Sequence, residues 1–174
     1  MRSKVTIFGH ALHPMLVAFP IAFYGAAVVS YIAYGVNENL FWFRLGVIAN
    51  IAGVVMAAVA AIPGFIDWLL AIPHHSPAKI TGLRHMLANV FALIIFALNA
   101  GIQLPRFDDP LPSAVSAIAL SLFGLVATVV AGFFGWTLVQ KHHVGVDLTP
   151  EQERLEPDRT ARRPPVGTAG AQRT

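Results

Sequence analysis

The chain has 174 residues, of which 56% are hydrophobic and 12% charged, with no cysteine and a formal net charge of +3. Soluble domains carry about a quarter charged residues, so this composition points to a membrane, and the missing thiols exclude disulfides, iron–sulfur ligation and thiolate zinc sites. Five of the twelve Lys and Arg residues follow residue 150, so the positive balance belongs to a tail and describes no nucleic-acid surface.

Residues 5–37, 45–66, 85–105 and 110–140 contain no Asp, Glu, Lys or Arg. A span needs about 20 apolar residues, so each run holds one helix. The first apolar run is too long for a cleavable signal peptide and has no small-residue cleavage pattern behind it. Spacing and punctuation predict helices over 14–34, 42–70, 81–103 and 113–140. The whole is an all-α integral membrane protein, an up-down-up-down antiparallel bundle with short connections.

The first helix opens on His10-Ala-Leu-His-Pro-Met-Leu-Val-Ala-Phe-Pro20. Pro14 suits the first helical position, which sets His13 at or beside the N-cap. Pro20, further in, removes one backbone hydrogen bond and predicts a kink. The second helix carries small residues at Gly53, Ala57 and Ala61, with Ala60 and Gly64 beside them. Such rows allow close helix approach in lipid, or leave room for a flat cofactor. Asp67 is the only acid inside an apolar helix, and a carboxylate there needs a partner. After the loop at His74 and His75, the third helix carries His85 and, four residues on, Asn89 on the same face. The fourth repeats the small-residue pattern at Gly124, Ala127, Thr128, Ala131, Gly132 and Gly135, then ends on His142 and His143. Residues 1–146 form the membrane domain. In 147–174, Thr149 and Gln152 fit a capping box for a short helix, and the sequence beyond Pro157 has the composition of a disordered tail. No internal repeat stands out.

Basic residues near span ends set orientation. Arg2, Lys4, Lys79, Arg84 and Lys141 share one face, against Arg44 and Arg106 on the other, so both termini are expected in the cytoplasm. Trp42, Tyr31 and Tyr34 would form the outer aromatic belt, Trp68 and Trp136 the inner one. All seven histidines, His10, His13, His74, His75, His85, His142 and His143, fall on the cytoplasmic face. With Asp67 they form a sulfur-free donor set that suits a transition metal ion, while an imidazole pair suits haem iron. His13 and His85, on diagonal helices, fit the two axial positions of haem b. A compact metal site would use His13, Asp67, His85 and His142, with Asn89 orienting His85 as an outer-sphere partner. His10, His75 and His143 are weaker candidates. The competing reading is an interfacial belt in which these groups bind only water and head groups. Nucleophilic catalysis and phosphate binding have no motif, and enzymatic activity is left open.

His-Pro-Met-Leu-Val-Ala-Phe-Pro-Ile-Ala at 13–22, Gly-Phe-Ile-Asp at 64–67 followed by His85 and Asn89, and Gly-Trp-Thr-Leu-Val-Gln-Lys-His-His-Val-Gly-Val at 135–146 resemble a bacterial membrane family catalogued as domain of unknown function 2231. The resemblance spans roughly residues 8–146. It implies four membrane helices, a bacterial inner-membrane location and no established activity. It places the family-like polar residues at His13, Asp67, His85 and His142. Such proteins often carry a second histidine where this chain has Ala18, so the site here is reduced. A similar unit is found joined to a Rieske iron–sulfur domain, which implies redox chemistry. The expectation is therefore a haem- or metal-binding redox protein in contact with the lipid bilayer and with an electron-transfer partner or quinone. A homo-oligomer is compatible with it. The alternative is a non-catalytic scaffold or assembly partner with a histidine belt.

Overall fold

The computed structural model describes residues 1–110, 113–146 and 149–155. Four helical spans, Leu12–Asn37, Leu40–Leu70, Pro77–Arg106 and Val115–His142, are each long and apolar enough to cross a bilayer. Side chains such as Val29, Val55, Val126 and Phe133 remain exposed on their outer faces, as expected of surfaces covered by lipid.

The first span is two helices, α1 (Leu12–Leu16) and α2 (Ala18–Asn37). Their junction at Val17 explains where the expected kink falls. Pro20 has no N–H for the Leu16 carbonyl and crowds it sterically, so the break appears one turn before the proline. Helix α2 runs three residues beyond the predicted end because Gly35 is a packing position, not a stop. A Cβ there would meet Ile118 at 3.1 Å and Ala114 at 3.3 Å. The helix ends instead at Glu38, in the left-handed region at φ 54°. Asn39 caps α3 (Leu40–Leu70) by accepting from Phe41 N at 2.9 Å. Helix α4 (Pro77–Gln103) begins four residues earlier than predicted, since Ser76 caps it and Pro77 occupies the first turn. A short 3-10 turn, Leu104–Arg106, extends it. Helix α5 (Val115–His142) is the last span, and the expected short helix follows as α6 (Pro150–Leu155). The predicted disordered stretch after Pro157 lies outside the described residues.

Residues before α1 form a hairpin that the sequence pattern does not announce. Strands β1 (Thr6–Ile7) and β2 (His10–Ala11) pair antiparallel, joined by Phe8 and Gly9 at φ 49° and 80°. Two central residues with positive φ make the turn that matches strand twist.

The bundle is held by rings seated on glycines. Tyr31 lies on Gly46 and Tyr24 on Gly53, both between α2 and α3. Phe96 of α4 lies on Gly124 of α5. A Cβ added at these glycines would stand 2.7, 2.6 and 2.6 Å from the ring atoms. Tyr24 and Phe96 then stack across the bundle, centroids 3.6 Å apart and planes 2° off parallel. These seats are filled by the protein's own rings, so at these positions the small residues serve packing rather than a flat cofactor. Tyr31 and Tyr34, expected in the lipid belt, are 0% and 8% exposed and pack with Phe43. Apolar packing wins over belt placement because both point into the gap between α2 and α3.

The same half of the bundle holds buried amides. Asn50, oriented so that Nδ2 donates to Phe96 O and Oδ1 accepts from Ala100 N, both at 3.2 Å, ties α3 to α4. Asn99 donates to Ser121 Oγ at 2.8 Å, and Gln103 donates to Asn99 Oδ1 at 3.3 Å. In hydrocarbon each such group must be satisfied within the protein. At that end Arg44 pairs with Asp108 at 2.5 Å, a surface pair that contributes at most about 1 kcal/mol.

Candidate functional site

The histidine end of the bundle is built by two equivalent placements. His13, in the first turn after the hairpin, lays its ring on Gly64 of α3. A Cβ on Gly64 would stand 2.7 Å from His13 Nδ1. That nitrogen donates to the Ala60 carbonyl at 2.8 Å. His85 of α4 lays its ring on Gly135 of α5, where a Cβ would stand 3.0 Å from Cε1. Its Nδ1 donates to the Ala131 carbonyl at 2.8 Å. A carbonyl only accepts, so both imidazoles carry the proton on Nδ1 and present Nε2 as a lone-pair nitrogen. The two rings face each other edge to face, centroids 6.1 Å apart and planes at 87°. The diagonal pair expected from sequence is therefore brought together.

Asn89 takes a different place from the one expected. Its Nδ2 donates to the His85 carbonyl at 2.9 Å and lies 3.2 Å from His85 Nε2. The amide thus touches the nitrogen that would hold a ligand, instead of orienting the ring through Nδ1. The carbonyl of Ala131 does the orienting, and main-chain carbonyls carry no sequence signature.

Asp67 finds its partners elsewhere. Its Oδ2 accepts from Ser3 Oγ at 2.6 Å, and its Oδ1 accepts from Lys4 N at 2.7 Å and Val5 N at 3.3 Å. The carboxylate latches the N-terminal strap onto the end of α3. The strap also reaches the end of α5, where Met1 N donates to His143 O at 2.9 Å and Gly145 N donates to Met1 O at 2.8 Å. It therefore bridges the two helices that seat the histidines. His142 Nε2 lies 3.3 Å from Thr81 Oγ1, and His143 ends α5 at φ 51°. His10 Nδ1 donates to Phe8 O at 3.0 Å within the hairpin. His74 and His75 are exposed in the α3–α4 loop. Among the described residues no three His, Asp or Glu side chains are disposed to hold a metal ion. The four expected metal ligands thus divide into one pair and two residues with separate partners.

Lys79 closes the same end. Its Nζ donates to the Trp68 and Leu69 carbonyls at the end of α3 and sits 4.2 Å from the Trp68 ring centroid. A cation there complements the helix C-terminus. Trp68 in turn seats on Gly82 and donates to Lys79 O at 3.1 Å, which fixes the α3–α4 turn.

A family described as "Predicted membrane protein (DUF2231)" matches residues 9–148. No curated protein and no solved structure matches the chain significantly.

Proposed function

The chain belongs to the DUF2231 family of predicted membrane proteins, and we propose that His13 and His85 would hold the iron of a b-type haem that carries electrons at one membrane face. The observation that carries this reading is the matched tautomer of the pair. Each Nδ1 is held by a carbonyl at 2.8 Å, which leaves the lone pair of each ring on Nε2, that of His85 facing the Asn89 amide at 3.2 Å. The ring centroids stand 6.1 Å apart, a separation that one metal centre about 2 Å from a nitrogen of each ring can span. A bare transition metal ion usually takes more than two protein ligands, whereas haem iron needs two. The haem supplies one-electron chemistry. The chain would hold its iron through His13 and His85, whose rings the Ala60 and Ala131 carbonyls fix. The basic-residue bias favours the cytoplasmic side of a bacterial inner membrane for this site, with a quinone or an electron-transfer protein as partner.

The test is the visible spectrum of protein purified after expression with haem precursor and added metals. Wild type is expected to show a Soret band at one haem per chain. His13→Ala and His85→Ala should lose it, while His74→Ala and Asp67→Asn should keep it. A metal-loaded, colourless protein that loses its ion on Asp67→Asn would replace haem with a compact metal site. A wild type without stoichiometric haem or metal sinks the reading and leaves a membrane scaffold, which the hydrogen bonds already made by both imidazoles would then serve.

A further inference from the structure

Taken separately, the ring seats are packing details; set beside each other they coincide in register. His13 and Tyr24 are eleven residues apart on the first span, and so are His85 and Phe96 on α4. Gly53 and Gly64 are eleven apart on α3, and so are Gly124 and Gly135 on α5. The offset is 72 between first and third spans (13 to 85, 24 to 96) and 71 between second and fourth (53 to 124, 64 to 135). The acceptors of the two imidazoles, Ala60 and Ala131, obey the same 71. At that offset Val55 and Val59 also fall on Val126 and Val130, and Phe19 falls on Phe91 at 72. We infer that the chain is a tandem duplication of one helical hairpin, and that His13 and His85 are the same residue in its two copies.

The consequence for the site rests on the reading proposed above. Corresponding helices run the same way, so the two hairpins are related by a rotation about the bundle axis, along the membrane normal. Duplicated spans related in this manner place shared ligand positions at the interface between copies. Each hairpin contributes one imidazole, held in one way by one carbonyl and one glycine. The matching ligand is a single centre that would accept one imidazole from each hairpin. A ligand with a head and a tail would gain nothing from a pair so matched. One position breaks the equivalence. Asn89 follows His85 by four, where Val17 follows His13, and Val17 N donates to His13 O at 3.1 Å. The Asn89 amide, 3.2 Å from His85 Nε2, therefore competes with a ligand at one of two otherwise matched nitrogens.

An exchange of the two residues in the full chain tests this. Asn89→Val alone removes that competing donor and should tighten haem binding by about 3- to 10-fold. The double variant Val17→Asn/Asn89→Val hands the amide to His13 and should bind within about twofold of wild type, with the same Soret position. Gly64→Ala and Gly135→Ala, read as thermal midpoints in one detergent, should fall together, as should Gly53→Ala and Gly124→Ala. An exchanged protein that binds as tightly as Asn89→Val, or glycine pairs whose midpoints diverge strongly, overturns the equivalence. If wild type carries no haem or metal, the redox reading fails, and the exchange and glycine pairs are then judged on thermal midpoint alone.

Discussion

The two hairpins solve one packing problem with different side chains. In the first, three rings of α1 and α2 sit on three glycines of α3: His13 on Gly64, Tyr24 on Gly53, Tyr31 on Gly46. In the second, His85 sits on Gly135 and Phe96 on Gly124, but the place of Tyr31 is taken by Gln103, which bonds to Asn99 and Ser116. The seats that agree are the ones where a Cβ has no room. The positions that differ give each hairpin its separate task. Asp67 of the first holds the strap, where the second has Leu138. Asn89 of the second touches an imidazole, where the first has Val17. Shared glycines thus report the scaffold, and the departures from symmetry report what happens at the histidine end.

The sharpest way to break this comparison is to fill the seats. In lipid, helices associate through close packing rather than through water-driven burial, so an overpacked interface has little else to fall back on. Gly53→Ala and Gly124→Ala each drive a methyl to within 2.6 Å of a ring that is itself stacked on the other hairpin. Each is expected to lose about 1–3 kcal/mol, seen as a lower thermal midpoint and earlier aggregation in detergent. Gly25 and Gly132 have nothing within 4 Å of an added Cβ. Alanine there should leave stability unchanged or raise it by up to about 1 kcal/mol. A loss at the open glycines as large as at the seats would show that glycine serves backbone flexibility instead.

Much of this organisation was legible in the sequence. Four charge-free runs fixed the four spans, since length and missing charge suffice for that in a bilayer. The convergence of His13 and His85 followed from antiparallel geometry alone. The strap latch was not legible, because two of the three donors to Asp67 are main-chain amides. Asn99 and Gln103 stand at i and i+4 in an apolar helix, a signal that was available for the buried polar cluster. Ser76-Pro77 likewise announced the true start of α4. The duplication was hidden because lipid-facing positions accept any apolar residue, so the two copies agree mainly where rings meet glycines.

The strap offers a second contrast, since Leu138 can hold no backbone amide. Hydrogen bonds to a charged acceptor contribute about 1.5–3 kcal/mol. Asp67→Asn should therefore release residues 1–5 from α3 while the rings behind them stay seated. Amide exchange at Lys4 and Val5 should speed up by roughly 10-fold or more, with exchange across α4 and α5 unchanged. Equal protection in variant and wild type would mean that the contacts at His143 and Gly145 hold the strap alone.

The smallest expected effect comes from making the hairpins more alike. Tyr24 and Phe96 are partners in one stack and occupy equivalent positions, yet only Tyr24 carries a hydroxyl. The residue is 3% exposed, and its hydroxyl has no hydrogen-bond partner among the described residues. A buried hydroxyl without a partner costs about 1–3 kcal/mol in desolvation, and phenylalanine keeps the ring that Gly53 and Phe96 require. Tyr24→Phe should therefore hold the thermal midpoint or raise it by the equivalent of about 1 kcal/mol. The reverse change, Phe96→Tyr, adds a second hydroxyl to the same apolar stack and should lower it. If Tyr24→Phe proves destabilising while Phe96→Tyr is neutral, the hydroxyl of Tyr24 has found an internal water, and the hairpins differ at this level in hydration as well as in sequence.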